Sequence, residues 1–126
     1  MIVLDLGVPP TDPLSLNEER SMNWAKRRRR THPWRDTTWA LAMQAKLAAR
    51  VAGRACTITV VLPFEENRRR DPANFYPTVK AVVDGLVLAH VFDDDTPEYV
   101  TVTEPVLRIG GKAEVHLELR QEAADG

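Results

Sequence analysis

The run Cys56-Thr57-Ile58-Thr59-Val60-Val61-Leu62 sets the first limit on what this chain can fold into. β-Branched side chains fill it, and Gly53 and Pro63 punctuate its ends. That pattern predicts a strand with Cys56, Ile58, Val60 and Leu62 on the buried side, stopped by Pro63. Further along, Ala113, Val115, Leu117 and Leu119 alternate with Glu114, His116, Glu118 and Arg120, the signature of a half-buried strand. Met1 to Leu6 reads as a short first strand ended by Gly7. Glu98 to Arg108, rich in Val, Thr and Tyr, reads as a strand interrupted at Pro105, which suits an edge or a bulge. Gly110-Gly111 reads as the hairpin turn between the last two strand patterns.

Two helices are expected between these strands. Val8-Pro9-Pro10-Thr11-Asp12-Pro13 removes backbone donors, so 7–20 reads as loop, and the segment 7–32 as loop and basic arm. Thr31-His32-Pro33-Trp34 resembles a helix start, because a proline in the first turn loses a donor that has no partner there anyway. The helix then runs from about 33 to 51. Trp34, Leu41, Ala45 and Ala48 share one stripe and Met43, Leu47 and Val51 widen it, leaving room for packing on a second subunit. Trp39, among Arg35, Lys46 and Arg50, reads as a packing residue ahead of a nucleic-acid contact. The second helix carries Val79, Val82, Val83, Leu86 and Val87 on one side, with Lys80 and Asp84 adjacent at its edge. Pro77 cannot sit inside it, so a turn over 71–76 and a helix from near Pro77 to Ala89-His90 are predicted. A chain of 126 residues has room for one core. The expected architecture is therefore a single small α+β domain over 1–126, with a sheet of about four strands, two main helices and a frayed tail at 121–126.

Charge decides which partners are plausible. The formal net charge is only −1, yet eight of the 17 Lys and Arg residues lie in Lys26-Arg27-Arg28-Arg29-Arg30 and Arg68-Arg69-Arg70. A near-neutral total thus conceals two basic runs suited to phosphate, whose oxygens the guanidinium fork matches. The same runs also fit a solvated face or a flexible arm. Cys56 is the one cysteine and cannot form an internal disulfide, which points to a reducing compartment, the cytoplasm. No apolar stretch approaches the roughly 20 residues of a membrane span, so no membrane partner is expected.

The chemistry concentrates between Arg68 and Asp95. Mg²⁺ takes hard oxygen ligands from a few carboxylates and water, and a divalent cation on a phosphodiester activates the attacking water and neutralises developing charge. Asp71, Asp94 and Asp95 meet that demand if they converge at one end of the second helix, with Lys80 holding a phosphate oxygen or the leaving group. Asn74, Asp84 and Asp93 are possible supporting groups. Alternatively, Asp71 caps a turn and Asp93 to Asp95 form a solvated loop. The three arginines beside Asp71 favour the site. His32, His90 and His116 are too scattered for zinc, and no Gly-rich phosphate loop is present.

Arg69-Arg70-Asp71-Pro72-Ala73-Asn74, Lys80-Ala81-Val82-Val83-Asp84-Gly85-Leu86, Asp94-Asp95 and Gly110-Gly111-Lys112 together resemble the RusA family of Holliday junction resolvases. The similarity covers roughly residues 56–120. Upstream, Pro13-Leu14-Ser15-Leu16-Asn17 echoes the family's opening more loosely. The resemblance implies a homodimeric, Mg²⁺-dependent (Mn²⁺ as substitute) endodeoxyribonuclease that resolves four-way DNA junctions by paired nicks in recombination and repair. It makes Asp71, Asp94 and Asp95 catalytic metal ligands, Lys80 the catalytic lysine, and Lys26 to Arg30 and Arg68 to Arg70 the DNA-binding residues. Two positions depart from the family pattern. Ala73 stands where the second Asp of Asp-x-Asp-Asn is expected, and the five residues from Phe75 to Val79 between Asn74 and Lys80 are three more than the pattern has. These departures also suit a catalytically weakened protein that still binds branched DNA.

Overall fold

In the computed structural model, which describes residues 1–94 and 96–120, the alternating run becomes the central strand β2 (Cys56–Phe64). On one side it pairs antiparallel with β5 (Ala113–Leu119), which pairs in turn with β1 (Ile2–Gly7). On its other side β3 (Val100–Val102) and β4 (Val106–Ile109) lie parallel to its first and second halves. They form one edge split around Pro105, as the sequence predicts. The result is a small mixed α/β fold with a five-stranded mixed sheet and four helices, against an expectation of about four strands and two main helices. Cys56, Ile58, Val60 and Leu62 are all fully buried, as the alternation requires.

Two strand-end expectations are overturned. Pro63 does not stop β2, which continues to Phe64. The Phe64 carbonyl accepts from Gly110 N across the β4 edge, so by alternation the nitrogen of Pro63 points the other way. There the pairing with β5 has already ended at Val61, and the missing N–H costs no ladder bond. Gly110-Gly111 is likewise no hairpin turn, because β4 and β5 flank β2 on opposite sides. The chain must cross the end of β2, and both glycines take positive φ (72° and 83°) to do so.

The helices cover one face of the sheet. Helix α2 (Trp24–Gln44) begins nine residues before Pro33 and takes in most of the predicted basic arm. Asn23 starts it: its side chain accepts from Lys26 N at 2.9 Å, satisfying one of the helix's orphan donors. Pro33 therefore sits in the helix interior rather than the first turn. The cost of that position is offset by packing, since the next residue, Trp34, is completely buried. Lys46, in a left-handed conformation (φ 52°), breaks the predicted 33–51 helix and leaves α3 (Leu47–Val51) as a separate turn. The buried side of this region is Trp34, Thr38, Ala42, Leu47 and Val51, while Met43 and Trp39 stand 51% and 44% exposed. The apolar stripe is thus narrower than the sequence suggests, and small residues hold part of it.

The predicted loop 7–20 contains a further short helix, α1 (Leu16–Glu19), and is pinned to the core. Arg30 donates to the carbonyls of Asp12 and Pro13 and pairs with Glu18 at 3.2 Å. Thr11 Oγ1 donates to the Arg30 carbonyl. Leu14 is clamped from the other side, its N–H donating to Thr78 Oγ1 at 2.7 Å and its carbonyl accepting from the same hydroxyl at 3.2 Å. Both residues are fully buried. Thr78→Val keeps the shape and removes both bonds, stranding two buried backbone groups. We expect a loss of about 1–3 kcal/mol in urea denaturation.

A 3₁₀ turn over Pro72–Phe75 leads directly into α4 (Tyr76–Leu88), close to the predicted turn and restart. Pro77 falls in its first turn, where its missing N–H is harmless. His90, with φ 59°, ends the helix, and Val91 N returns to the Leu86 carbonyl at 3.1 Å. α4 joins β2 to the parallel β3 and supplies Val79, Val82 and Leu86 to the core shared with Trp34, Ile58, Val60 and Val115.

Candidate functional site

Asp71 stands between the basic run and α4, and its local role is clear. Its Oδ1 accepts from Ala73 N at 3.1 Å, so it caps the 3₁₀ turn that carries Asn74. The residue is exposed, and a carboxylate with one such bond retains further acceptor positions for a cation or a donor. Arg70 is folded back on the protein. Its guanidinium lies 4.1 Å from the centroid of the Phe64 ring and donates to the Glu66 carbonyl at 2.8 Å. Phe64 itself leans on Phe75, ring centroids 5.1 Å apart, so β2 and the 3₁₀ turn hold Arg70 from below. Arg68 and Arg69 are exposed.

These residues line an open groove of about 1080 Å³. Arg68, Arg69, Arg70, Asp71 and Asn74 form part of its wall, with Gly110-Gly111, Arg30 and the 8–18 segment completing it. Glu65, Glu66, Asp12 and Glu18 also face it, so the groove mixes both signs of charge. Of the first basic run only Arg30 reaches this groove, and its guanidinium is already engaged by Glu18 and the Asp12 and Pro13 carbonyls.

Lys80 and Asp84 lie elsewhere. Lys80 Nζ donates to Asp84 Oδ1 at 2.7 Å, one helical turn along α4, and both line a smaller pocket of about 270 Å³ between α1, α2 and α4. His32 and Arg35 from α2 and Glu19 from α1 share it. Sequence spacing gave no sign of His32 and Arg35 here, because they come from a different helix. His32 lies between two guanidiniums: Arg28 Nε is 3.5 Å from Nδ1 and Arg35 Nη1 is 3.5 Å from Nε2. Burial, then the charges of Arg35 and Arg28, hold its pKa below the usual 6.5, against a smaller opposing effect of Asp36. With the folded-state pKa depressed, the unfolded chain takes up the proton first as pH falls below about 6.5. The His32 contribution to stability is present above that pH and lost below it. The drop in urea midpoint between pH 7.5 and 5.5 should therefore be smaller in His32→Gln than in the unaltered protein.

Asp93 and Asp94 are exposed in the loop beyond α4, whereas Asp71 precedes that helix. Thirteen residues of helix span about 20 Å, so the length of α4 lies along the chain between Asp71 and the Asp93-Asp94 pair. Asp95, expected to be a ligand, lies outside the described residues, as does the tail at 121–126. Among the described residues no three His, Cys, Asp or Glu side chains group as a metal site. Cys56 is buried, and that burial pushes its thiol pKa up, against a lesser pull from Arg120 and Arg54. It remains a protonated core residue.

No helix among the described residues is long and apolar enough to cross a membrane. No protein-family model matches the chain, and no curated protein is significantly similar to it.

Proposed function

We propose that the protein is a Mg²⁺-dependent, structure-specific endodeoxyribonuclease of the RusA type, acting as a homodimer on four-way DNA junctions. The observation that carries this reading is the groove that sets Arg68, Arg69 and Arg70 beside the exposed carboxylate of Asp71, at the head of a helix bearing Lys80. Guanidiniums suit the phosphates of a DNA strand, and a carboxylate among them suits a cation rather than the substrate.

Hard carboxylate oxygens are the donors Mg²⁺ prefers, so Asp71, Asp94 and Asp95 are the residues that would hold it, with Mn²⁺ as a substitute. The bound cation would supply an activated water and neutralise charge on the phosphoryl oxygens. In this reading Arg68 and Arg69 draw the backbone into the groove, while Arg70 is fixed by Phe64 and Glu66. Lys80, oriented by Asp84, would offer its charge to the departing oxygen. Two such sites related by a two-fold axis would cut opposing strands.

A labelled synthetic four-way junction incubated with the protein tests the reading. Nicks should form with Mg²⁺ and disappear with EDTA, and no nicks with either Mg²⁺ or Mn²⁺ would overturn the nuclease. Ala73 favours a second reading, a protein that binds branched DNA without cutting it. In that case binding weakens steeply with salt, no nicks form, and Ala73→Asp restores cutting.

A further inference from the structure

The first turns of α2 carry an exposed tryptophan that the groove does not use. Trp24 is the first residue of the helix and is 67% exposed. Its neighbours Asn23, Ala25, Lys26 and Arg27 are exposed as well, so the indole is no part of an apolar patch of the kind that docks proteins. One turn on, the Arg28 guanidinium lies 4.4 Å from the ring centroid and covers one face. Arg28 Nε donates to His32 Nδ1 at 3.5 Å and Arg35 Nη1 lies 3.5 Å from the other ring nitrogen, so four side chains follow one another along a single face of α2. The row spans about 16 Å and ends in the pocket where His32 and Arg35 meet Lys80.

We propose that Trp24, backed by Arg28, is a stacking platform for an unpaired nucleotide, and that Arg28, His32 and Arg35 lead its strand toward Lys80. An indole face can stack only on a base whose own face is open, which a duplex interior does not offer and a single strand or opened junction does. The guanidinium behind the ring fixes it before the base arrives, which reduces the ordering cost of binding. The exposed cations Lys26, Arg27 and Arg28 that follow Trp24 suit the accompanying phosphates. This inference rests on the DNA reading above, but it needs neither a metal nor cleavage.

The experiment is a fluorescence titration with a short oligo-dT strand and, separately, with a blunt duplex of equal length. The unaltered protein should lose indole emission on binding oligo-dT. Trp24→Leu should lose that quenching and bind oligo-dT roughly tenfold more weakly, with duplex affinity within about twofold. Trp24→Phe should keep most of the affinity, and Trp39→Leu should keep both affinity and quenching. Because Trp24 is exposed, both substitutions at that position should leave the circular dichroism unchanged. Absence of oligo-dT binding, equal affinity of Trp24→Leu and the unaltered protein, or an equal loss on duplex would overturn the platform. Junction cleavage is read separately, so a nuclease without this platform and a platform without nuclease activity give different results.

Discussion

Gly85→Ala is expected to destabilise the fold by about 3 kcal/mol, a drop of roughly 10 °C in melting temperature for a chain of this size. A Cβ at Gly85 would sit 2.4 Å from the Arg35 carbonyl, 2.9 Å from Thr38 Cβ and 3.2 Å from Trp39 N. Two of those atoms are helix backbone, so no side-chain rotation relieves the overlap and α2 must move away from α4. Alanine gains about 1 kcal/mol of helix propensity over glycine, which offsets only part of the cost. The effect should extend beyond stability, because the same helix pair walls the pocket containing His32, Arg35, Lys80 and Asp84. Leu88→Ala, on the same helix but 50% exposed, is the control and should change the melting temperature little. An unchanged melting temperature in Gly85→Ala would mean that the helices are not this close.

That contact also explains what the sequence hides about the fold. Strands β2 and β5 are legible because each buries one face, and burial writes itself as alternation at 56–62 and 113–119. The partnership between strands is not written locally. Gly110-Gly111 looks like a hairpin from within its own neighbourhood, whereas β2 separates the two strands it joins. In α2 the close approach to Gly85 selects small buried residues, Thr38 and Ala42, so the true interface is missing from a search for large apolar side chains. The helix start was misplaced for a different reason. Proline is a strong signal at a helix N-terminus, whereas the Asn23 cap that begins the helix precedes a basic run with no apolar period.

Asp71→Asn should lower the rate of metal-dependent junction cleavage on the order of 10²–10³-fold, since metal stabilisation of the transition state is worth several kcal/mol. Asparagine is the informative substitution. It caps a helix about as well as aspartate and can still accept from Ala73 N, so the 3₁₀ turn should survive while the charge is lost. Junction affinity, which the proposed function assigns to the arginines, should change far less than the rate. Asp71→Ala removes charge and cap together and should also lose about 1 kcal/mol of stability. A variant that cuts at the normal rate would remove Asp71 from the mechanism.

The grouping of Arg68 to Arg70 with Asp71 and Asn74 was legible because those residues are neighbours in the chain, and they line one groove. Lys80 and Asp84 were correctly read as adjacent, four residues apart on one helix. What could not be read is everything that arrives from a distance: Arg30 turned inward by Glu18 and the Asp12 and Pro13 carbonyls, and His32 and Arg35 beside Lys80. Asp93 and Asp94 lie beyond the far end of α4 from Asp71, and no local pattern says whether a chain brings two such groups together.

The central claim is paired cutting of a branched substrate, and one measurement addresses it most directly. Four versions of a synthetic four-way junction, each labelled on a different strand, are incubated with the protein and Mg²⁺, alongside a linear duplex of the same sequence. The account predicts nicks at matching positions in two opposing strands of the junction and none in the duplex. Equal nicking of junction and duplex, or no nicking of any strand, would contradict it.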